Sequence, residues 1–186
     1  MSDKKYNEDT IIAQLKVNKL RADAFSAIVR EHSESIYWYV RRMVLVHDDA
    51  NDIVQNTFTK AWMNIESFQG KSKISTWLYR IAINETLTFL NKNQNTTVSL
   101  DSPDGAIAEF LESDTHFCGN KADAMLQEAI ARLPEKQRQV FNLKYFNEIK
   151  YEEMSKMLNT SVGALKASYH IAVKKIEEYI GNVEIS

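Results

Sequence analysis

Apolar residues recur at three- and four-residue spacing in the last third of this chain, a pattern typical of helices that bury one face. The spacing predicts a helix through Val140, Phe141 and Tyr145, and a second helix over 151–158 that buries Met154, Met157 and Leu158. The buried face of a third helix is predicted to carry Leu165, Tyr169, Ala172, Val173 and Ile176.

Two residues mark where these helices begin. Pro134 suits the first helical position, since its fixed φ is already helical. Asn159, Thr160 and Ser161 form a turn, and the Ser161 hydroxyl is placed to cap the third helix. Short helices joined by such a turn form a helix-turn-helix, in which the N-terminal half of the later helix can enter a DNA major groove.

The first half of the chain carries the same periodicity. It predicts helices over 9–17, 23–32, 34–46, 48–67 and 75–93. In the 48–67 helix the apolar stripe includes Ile53, Phe58 and Trp62, so we expect Trp62 to lie in the core. In the 75–93 helix the predicted buried residues are Trp77, Leu78, Ile81 and Leu87.

Helix-breaking residues are scarce. The 186 residues include 44% apolar residues, 5 Gly and 2 Pro, which favours an all-α fold with one or two small domains. The single cysteine, Cys118, excludes an internal disulfide and fits a reducing cytoplasm. No apolar run reaches the ~20 residues of a membrane-spanning helix, and the polar stretch MSDKKYNEDT lacks the apolar h-region of a signal peptide. We therefore expect a cytoplasmic protein.

The net charge of −2 hides an uneven distribution. Segment 132–175 has nine basic against four acidic residues, and segment 60–92 has five against two. Segment 93–131 has one basic against seven acidic residues. Its first part, 93–119, has no clear periodicity before 107–111, so it is predicted to be a linker with one turn of helix, and helix resumes near Lys121. Weakly basic units neutralise few phosphates, so a larger partner should be needed to hold the protein on DNA.

Three motifs in this order resemble a known family. They are DIVQNTFTKAW, then STWLYRIAIN after a short basic loop, then LPEKQRQVF followed by SVGALKASYHIAVKKI. Together they resemble bacterial RNA polymerase sigma factors of the extracytoplasmic-function type, group IV of the sigma-70 family, and the C-terminal stretch is similar to those of the Bacteroidetes group. The resemblance covers roughly 21–93 and 123–180.

The resemblance implies two helical domains after a polar segment at 1–20. A region 2-like bundle at 21–93 would bind the β′ clamp helices of core RNA polymerase and open the promoter −10 element. A flexible acidic linker at 94–122 would lead to a region 4-like helix-turn-helix at 123–183, which would bind the β flap and read the −35 element. An anti-sigma factor is a further possible partner.

The resemblance also implies roles for individual residues. The polymerase-binding residues would be Asp52, Gln55, Asn56 and Thr59. The −10 element would be contacted by Phe68, Lys71, Lys73, Trp77, Arg80 and Asn84. The −35 element would be contacted by Gly163, Lys166, Ser168, His170 and Lys174.

Two departures from the family pattern lower the expected affinity for phosphates. Many members carry an Arg pair where Asn91 and Lys92 stand here. Positions of the last helix that are often Arg are Ser168, Ile171 and Val173 in this chain.

No enzymatic chemistry is apparent in the sequence. It has no Gly-rich phosphate loop, no nucleophile elbow and no paired catalytic carboxylates, and its four histidines lack metal-ligand spacing. We expect no catalytic residue, metal, cofactor or small-molecule substrate. The main alternative is a one-component regulator whose first 93 residues sense a ligand or dimerise. A weaker one is a helical adaptor that binds only protein. Phe68 has two open roles, stacking on a displaced base or packing against its own domain.

Overall fold

The structure, a computed structural model, describes residues 6–92, 105–117 and 119–185, with side chains described to 182. These ranges contain helices and turns and no strand, which confirms the all-α prediction. None of their helices is long and apolar enough to cross a membrane. Cys118 and the first part of the expected linker lie outside the described residues. The α-helices are α1 Glu8–Leu15, α2 Asn18–Val44, α3 His47–Met63, α4 Ile74–Lys92, α5 Ala106–Ser113, α6 Lys121–Ala131, α7 Glu135–Tyr145, α8 Tyr151–Leu158 and α9 Val162–Ile185.

The N-terminal unit is built around α2, against which α1, α3 and α4 pack. The expectation of two helices over 23–32 and 34–46 is wrong, because α2 runs unbroken through Ser33. That region has no Gly or Pro to stop a helix, and the Ser35 hydroxyl donates to the His32 carbonyl 3.1 Å away without interrupting it. The helix ends at Leu45, whose left-handed φ of 65° returns its N–H to the Arg41 carbonyl.

Two buried hydroxyls lie where α3 and α4 face the core. Thr57 donates to the Ile53 carbonyl at 2.8 Å, and Thr86 donates to the Ala82 carbonyl at 2.7 Å. Each hydroxyl is satisfied within its own helix, so the small polar side chain can be buried without losing a hydrogen bond. This allows α2, α3 and α4 to form one helical bundle.

The acidic segment is more ordered than its composition indicates. Helix α5 has 8 residues where one turn was expected, and it packs on α6 through Ile107 and Leu111. The buried Glu128 carboxylate accepts the Gly105 and Ala108 N–H groups, both at 2.9 Å, so it caps α5 from outside the helix. The Arg132 guanidinium pairs with the same carboxylate at 2.9 Å.

The helix-turn-helix agrees with the prediction in α8 and differs at Pro134. The prediction of α8 at 151–158 is confirmed, and α8 ends at Asn159 in a left-handed conformation with φ 49°. Ser161 accepts the Ala164 N–H at 3.3 Å, which confirms its capping role. Pro134 is the N-cap and precedes the first helical residue, Glu135.

The two units share a hydrophobic core. Val140, Leu143 and Met154 belong to the same buried cluster as Tyr39 of α2 and Tyr79 of α4. The Asn147 amide donates to the Tyr79 hydroxyl at 2.7 Å. This brings α7 against α2 and α8 against α4, so the described domains are packed together.

This shared interface also buries polar groups. The amide oxygens of Asn142 and Asn147, whose amide nitrogens contact Met43 and Tyr79, have no hydrogen-bond partner among the described residues. An orphaned buried acceptor costs about 1–3 kcal/mol. The packed arrangement is therefore weaker than its apolar contacts alone would make it.

We predict that Glu128→Gln lowers the free energy of unfolding by about 2–3 kcal/mol at neutral pH, because the charge-assisted bonds to α5 and Arg132 are weakened. Urea denaturation followed by circular dichroism measures this. Glu112→Gln, an exposed position on α5, is the control and should leave stability unchanged.

The pH dependence of the same variant gives a second check. Burial opposes ionisation of Glu128, but its hydrogen bonds from Ala108 and Arg132 outweigh burial and hold its pKa below the ordinary value of 4.5. The stabilisation is complete above that ordinary value and is lost as pH falls through the lower, folded-state pKa. The stability gap between wild type and Glu128→Gln should therefore close in acid. A gap that stays constant down to acid unfolding would contradict the prediction.

Candidate partner-binding and nucleic-acid surfaces

Helix α3 presents a polar face to solvent. Asp52, Gln55, Asn56 and Thr59 are all exposed and lie three or four residues apart, so the helix brings them onto one face. Ile53 and Ala61 on the opposite side are buried against the bundle. The side chains of the outward face therefore take no part in packing the core.

The same face begins in an acidic cluster at the start of α3. Asp48 and Asp49 lie in its first turn, where they complement the helix dipole, and Asp52 follows one turn later. Burial, together with the neighbouring carboxylates of Asp52 and Asp48, raises the pKa of Asp49. A partner with basic groups would relieve this repulsion.

The other end of the face is apolar, which was not foreseen. The expectation that Trp62 lies in the core is wrong, since 42% of it is exposed and only one side of its ring packs on Phe25, at 5.1 Å between centroids. Met63 beside it is 74% exposed. Trp62 and Met63 lie three and four residues after Thr59, so they add one apolar turn to the C-terminal end of the same face. Tryptophan is rarely buried completely. A Trp-Met pair one turn beyond an exposed polar face is therefore the sequence signal that indicates this apolar patch.

A turn with an aromatic ring and two lysines precedes α4. Gly70 has a φ of 70°, and a Cβ there would lie 3.3 Å from Ile12, so the turn requires glycine. Lys71 and Lys73 are exposed, and the Lys73 ammonium lies 3.8 Å from the Glu153 carboxylate of α8. Phe68 is half-buried.

Helix α4 continues this surface. Trp77 is half-buried, and its ring lies 5.0 Å from that of Phe68. Arg80 and Asn84 are exposed and follow Trp77 at three- and four-residue spacing, so the three share one face. The Ile74 N–H at the start of the helix donates to the Glu8 carboxylate at 2.5 Å, which fixes the turn against α1. All six predicted residues of this surface are thus brought together, with Phe68 and Trp77 in mutual contact.

On α9, four of the five predicted contact residues share one face. At about 100° per residue, Gly163, Lys166, His170 and Lys174 point the same way, and all four are exposed. Ser168 is half-buried and lies beside the core-facing side, so the structure separates it from the others. Lys174 is 3.7 Å from Glu178, in an exposed pair.

Sequence reasoning missed a lysine next to this face. The Lys144 ammonium lies 5.1 Å from the Tyr151 ring centroid, and the Lys166 ammonium lies 5.7 Å from it. Burial, with Tyr169 nearby, raises the pKa of Tyr151, so the ring is a neutral phenol at physiological pH. Two cations are therefore held on one aromatic ring, at the start of the helix-turn-helix.

The outward side of α9 is otherwise weakly charged. Ile171 is 44% exposed there, and Ala164 and Ala167 are exposed too. Within the part of the chain that the structure describes, no group of three or more His, Cys, Asp or Glu side chains is placed to hold a metal ion.

Comparison with known proteins gives two family matches. Residues 28–96 match Sigma-70 region 2, and residues 123–176 match Sigma-70, region 4. The first match contains α3, the Gly70 turn and α4, and the second contains α7, α8 and most of α9.

Individual relatives agree with these matches. The chain is 33% identical over 164 residues to the ECF RNA polymerase sigma factor SigW of Bacillus subtilis, covering 83% of this chain and 88% of the relative. It is 25% identical over 166 residues to the ECF RNA polymerase sigma-E factor of Haemophilus influenzae, covering 84% and 87%.

Solved structures show the same fold. The structure of CnrH in complex with the cytosolic domain of CnrY aligns with a TM-score of 0.72 at 21% identity, covering 94% of this chain and 97% of that one. The sigma factor RpoE of Bartonella quintana, in complex with the anti-sigma factor NepR, aligns with a TM-score of 0.67 at 20% identity, covering 84% and 96%.

Proposed function

This chain belongs to the sigma-70 family of RNA polymerase sigma factors, and we propose that its two helical units divide promoter recognition between them. It is a sigma factor of the extracytoplasmic-function class that directs promoter-specific transcription initiation. The unit at 21–93 binds core polymerase and opens the −10 element, and the unit at 123–183 reads the −35 element. The observation that carries this proposal is the order of the two family matches, each on a unit with an exposed surface of suitable chemistry.

The partners follow from the same role. The chain acts in the cytoplasm with core RNA polymerase and promoter DNA, and it has no catalysis of its own. Because two structural neighbours were solved with an anti-sigma factor or a cytosolic partner domain, we also propose an anti-sigma partner for this chain. A one-component regulator is not favoured, since the first unit matches region 2 of sigma factors.

The polymerase surface is the outward face of α3. Its polar part, from Asp52 to Thr59, gives orientation and charge complementarity to the β′ clamp helices. Its apolar end, Trp62 and Met63, supplies area that leaves water on binding, and exposed Trp and Met are typical of interface anchors. A shallow polar face with one apolar anchor suits a subunit that binds and later leaves the enzyme.

The −10 surface combines the Gly70 turn with the outward face of α4. Phe68 and Trp77 offer aromatic faces on which a displaced base stacks. Lys71, Lys73 and Arg80 surround them with positive charge for the phosphates of the separated strands. Asn84 completes this face with an amide that can donate and accept hydrogen bonds.

The −35 surface is the exposed face of α9 near its N-terminus. Gly163 leaves the backbone open to close approach, since nothing lies within 4 Å of a Cβ placed there. Lys166 and Lys144, whose ammonium groups both lie near the Tyr151 ring, contact phosphates. With Ile171 as its neighbour, the face offers more apolar contact and less charge than a strongly basic recognition helix.

The packed domains must separate for both elements to be read. The −10 and −35 elements are separate stretches of the promoter, and each base pair between them adds ~3.4 Å of duplex length. In the packed arrangement Lys73 of the −10 surface is 3.8 Å from Glu153 of the helix-turn-helix. This ion pair holds α8 beside the −10 turn, so we propose that polymerase binding selects an open arrangement in which α9 lies farther from that turn.

We predict that Asp52→Ala combined with Gln55→Ala weakens core polymerase binding about tenfold or more and leaves helix content unchanged. Both side chains point away from the buried side of α3, and lost interface hydrogen bonds cost about 1–3 kcal/mol. Competition with labelled wild-type protein for core enzyme measures the change. Asp23→Ala, also exposed but on α2, is the control. Unaltered affinity in the double variant would remove this face from the interface.

We predict that Phe68→Ala reduces open-complex formation at a cognate promoter about tenfold while core binding stays intact, because base stacking on an aromatic ring contributes about 1–3 kcal/mol. A pre-melted bubble template should restore part of the activity, since the bases are already unstacked. Gln69→Ala, the exposed neighbour, serves as the control.

The alternative role of Phe68 gives a different result. If the ring only packs on Trp77, the substitution lowers the melting temperature and leaves transcription per folded molecule unchanged on duplex and bubble templates alike.

We predict that the free protein binds duplex promoter DNA feebly at physiological salt, although it binds core polymerase tightly. The reasons are the net charge of −2, the weakly charged α9 face and the packed domains. Fluorescence anisotropy with a labelled promoter, with and without core enzyme, tests this. Nanomolar specific binding by the free protein would favour the regulator alternative.

A further inference from the structure

A cleft of about 340 Å³ lies where α2, the stretch after α5, and the α6–α7 region meet. This volume is within the range of small-molecule sites. Its apolar walls are contributed by Trp38, Leu111, Phe117, Leu126 and Phe146. None of the residues proposed above to contact polymerase or DNA lines it.

One cation of the cleft is not neutralised. The Arg42 guanidinium lies 3.8 Å from the ring centroid of Phe146 and 5.9 Å from that of Trp38. No carboxylate among the described residues pairs with it, whereas the neighbouring Arg41 pairs with Asp114. Burial lowers the pKa of Arg42 to about 10, so the group keeps its charge at neutral pH.

The acidic group at the rim of the cleft is already engaged. Asp123 accepts the Asn120 N–H at 2.9 Å as part of the capping box of α6. Its carboxylate keeps its negative charge but forms no ion pair with Arg42 among the described residues. A partly buried charge without a partner is costly, and an anion that pairs with it removes the cost.

The wall of the cleft that faces α2 is fixed by the close approach of the Phe117 ring to Gly119. A Cβ at Gly119 would lie 2.5 Å from the Phe117 ring and 2.8 Å from the Asp123 Cβ, so only glycine lets Phe117 fold against the start of α6. The aromatic surface of the cleft is thus preformed, which lowers the entropic cost of binding a flat ligand.

We propose that this cleft binds a small anionic ligand with a planar aromatic body, in which the anionic group pairs with Arg42 and the body contacts the walls around Trp38 and Phe117. Trp38 and Arg42 belong to α2, whereas Leu126 and Phe146 belong to the C-terminal unit. An occupant therefore stabilises the packed arrangement of the two units by mass action. If the proposed function holds, such a ligand acts against polymerase engagement.

The test compares two fluorescent probes that differ in one charged group. They are 8-anilinonaphthalene-1-sulfonate and its uncharged parent, N-phenyl-1-naphthylamine, titrated into the full chain without polymerase. The sulfonate probe should bind saturably at one site per chain. Arg42→Gln should weaken its binding about fivefold to tenfold and change that of the neutral probe less than twofold. Arg30→Gln, an exposed arginine on the same helix, is the matched control and should alter neither.

A second variant locates the site independently of charge. Leu126→Trp fills the cleft with a larger side chain and should abolish saturable binding of both probes, with the helical circular dichroism signal retained. Three results would overturn the proposal. These are unsaturable binding of the sulfonate probe, an equal loss of both probes in Arg42→Gln, and unchanged binding in Leu126→Trp. Because no polymerase or DNA is present, none of these outcomes bears on the sigma-factor function.

Discussion

The packing of α7 on α2 and of α8 on α4 sets how the two units of this sigma factor lie relative to each other. It joins the region 2 and region 4 units through a common apolar cluster that contains Tyr39, Tyr79 and Met154. It also buries amide oxygens of Asn142 and Asn147 that find no partner among the described residues. The apolar contacts favour association and the orphaned amides oppose it, so the interface is suited to opening when a partner offers better contacts.

The proposed polymerase surface on α3 stays exposed in the packed form. Asp52, Gln55 and Met63 on α3 are exposed, and they lie on the side of that helix away from the bundle. Lys73 in the −10 turn instead faces Glu153 of the helix-turn-helix. Under the proposed function, core polymerase can reach α3 while the units are packed, and the DNA surfaces separate afterwards. That order would make promoter binding depend on the enzyme.

The segment between the two units, described over 105–117, makes contacts with both of them. Helix α5 is capped by Glu128 of α6, and Asp114 after it pairs with Arg41 of α2. The stretch that follows carries His116, whose ring stacks on that of His47 at 3.7 Å between centroids. These contacts tie the segment to both units. The same stretch brings Phe117 to the cleft that Arg42 also lines, in which we propose an anionic ligand.

The sequence by itself determined most of the helices and the family, although it divided α2 in two and underestimated α5. Periodic apolar residues and the hydroxyl of Ser161 predicted α8 and the start of α9, because helix period and capping are local properties. Local pattern also placed Asp52 and Gln55 on an exposed face.

Only the tertiary structure decided what covers each face. Trp62 lies on an apolar stripe and is still 42% exposed, because burial depends on whether another element covers the last turn of α3. Glu128 accepts N–H groups of α5, and the Arg42 guanidinium lies over the Phe146 ring. Both contacts join residues far apart in the chain. A one-dimensional pattern holds no information on such distances, since they are set by how the two units pack.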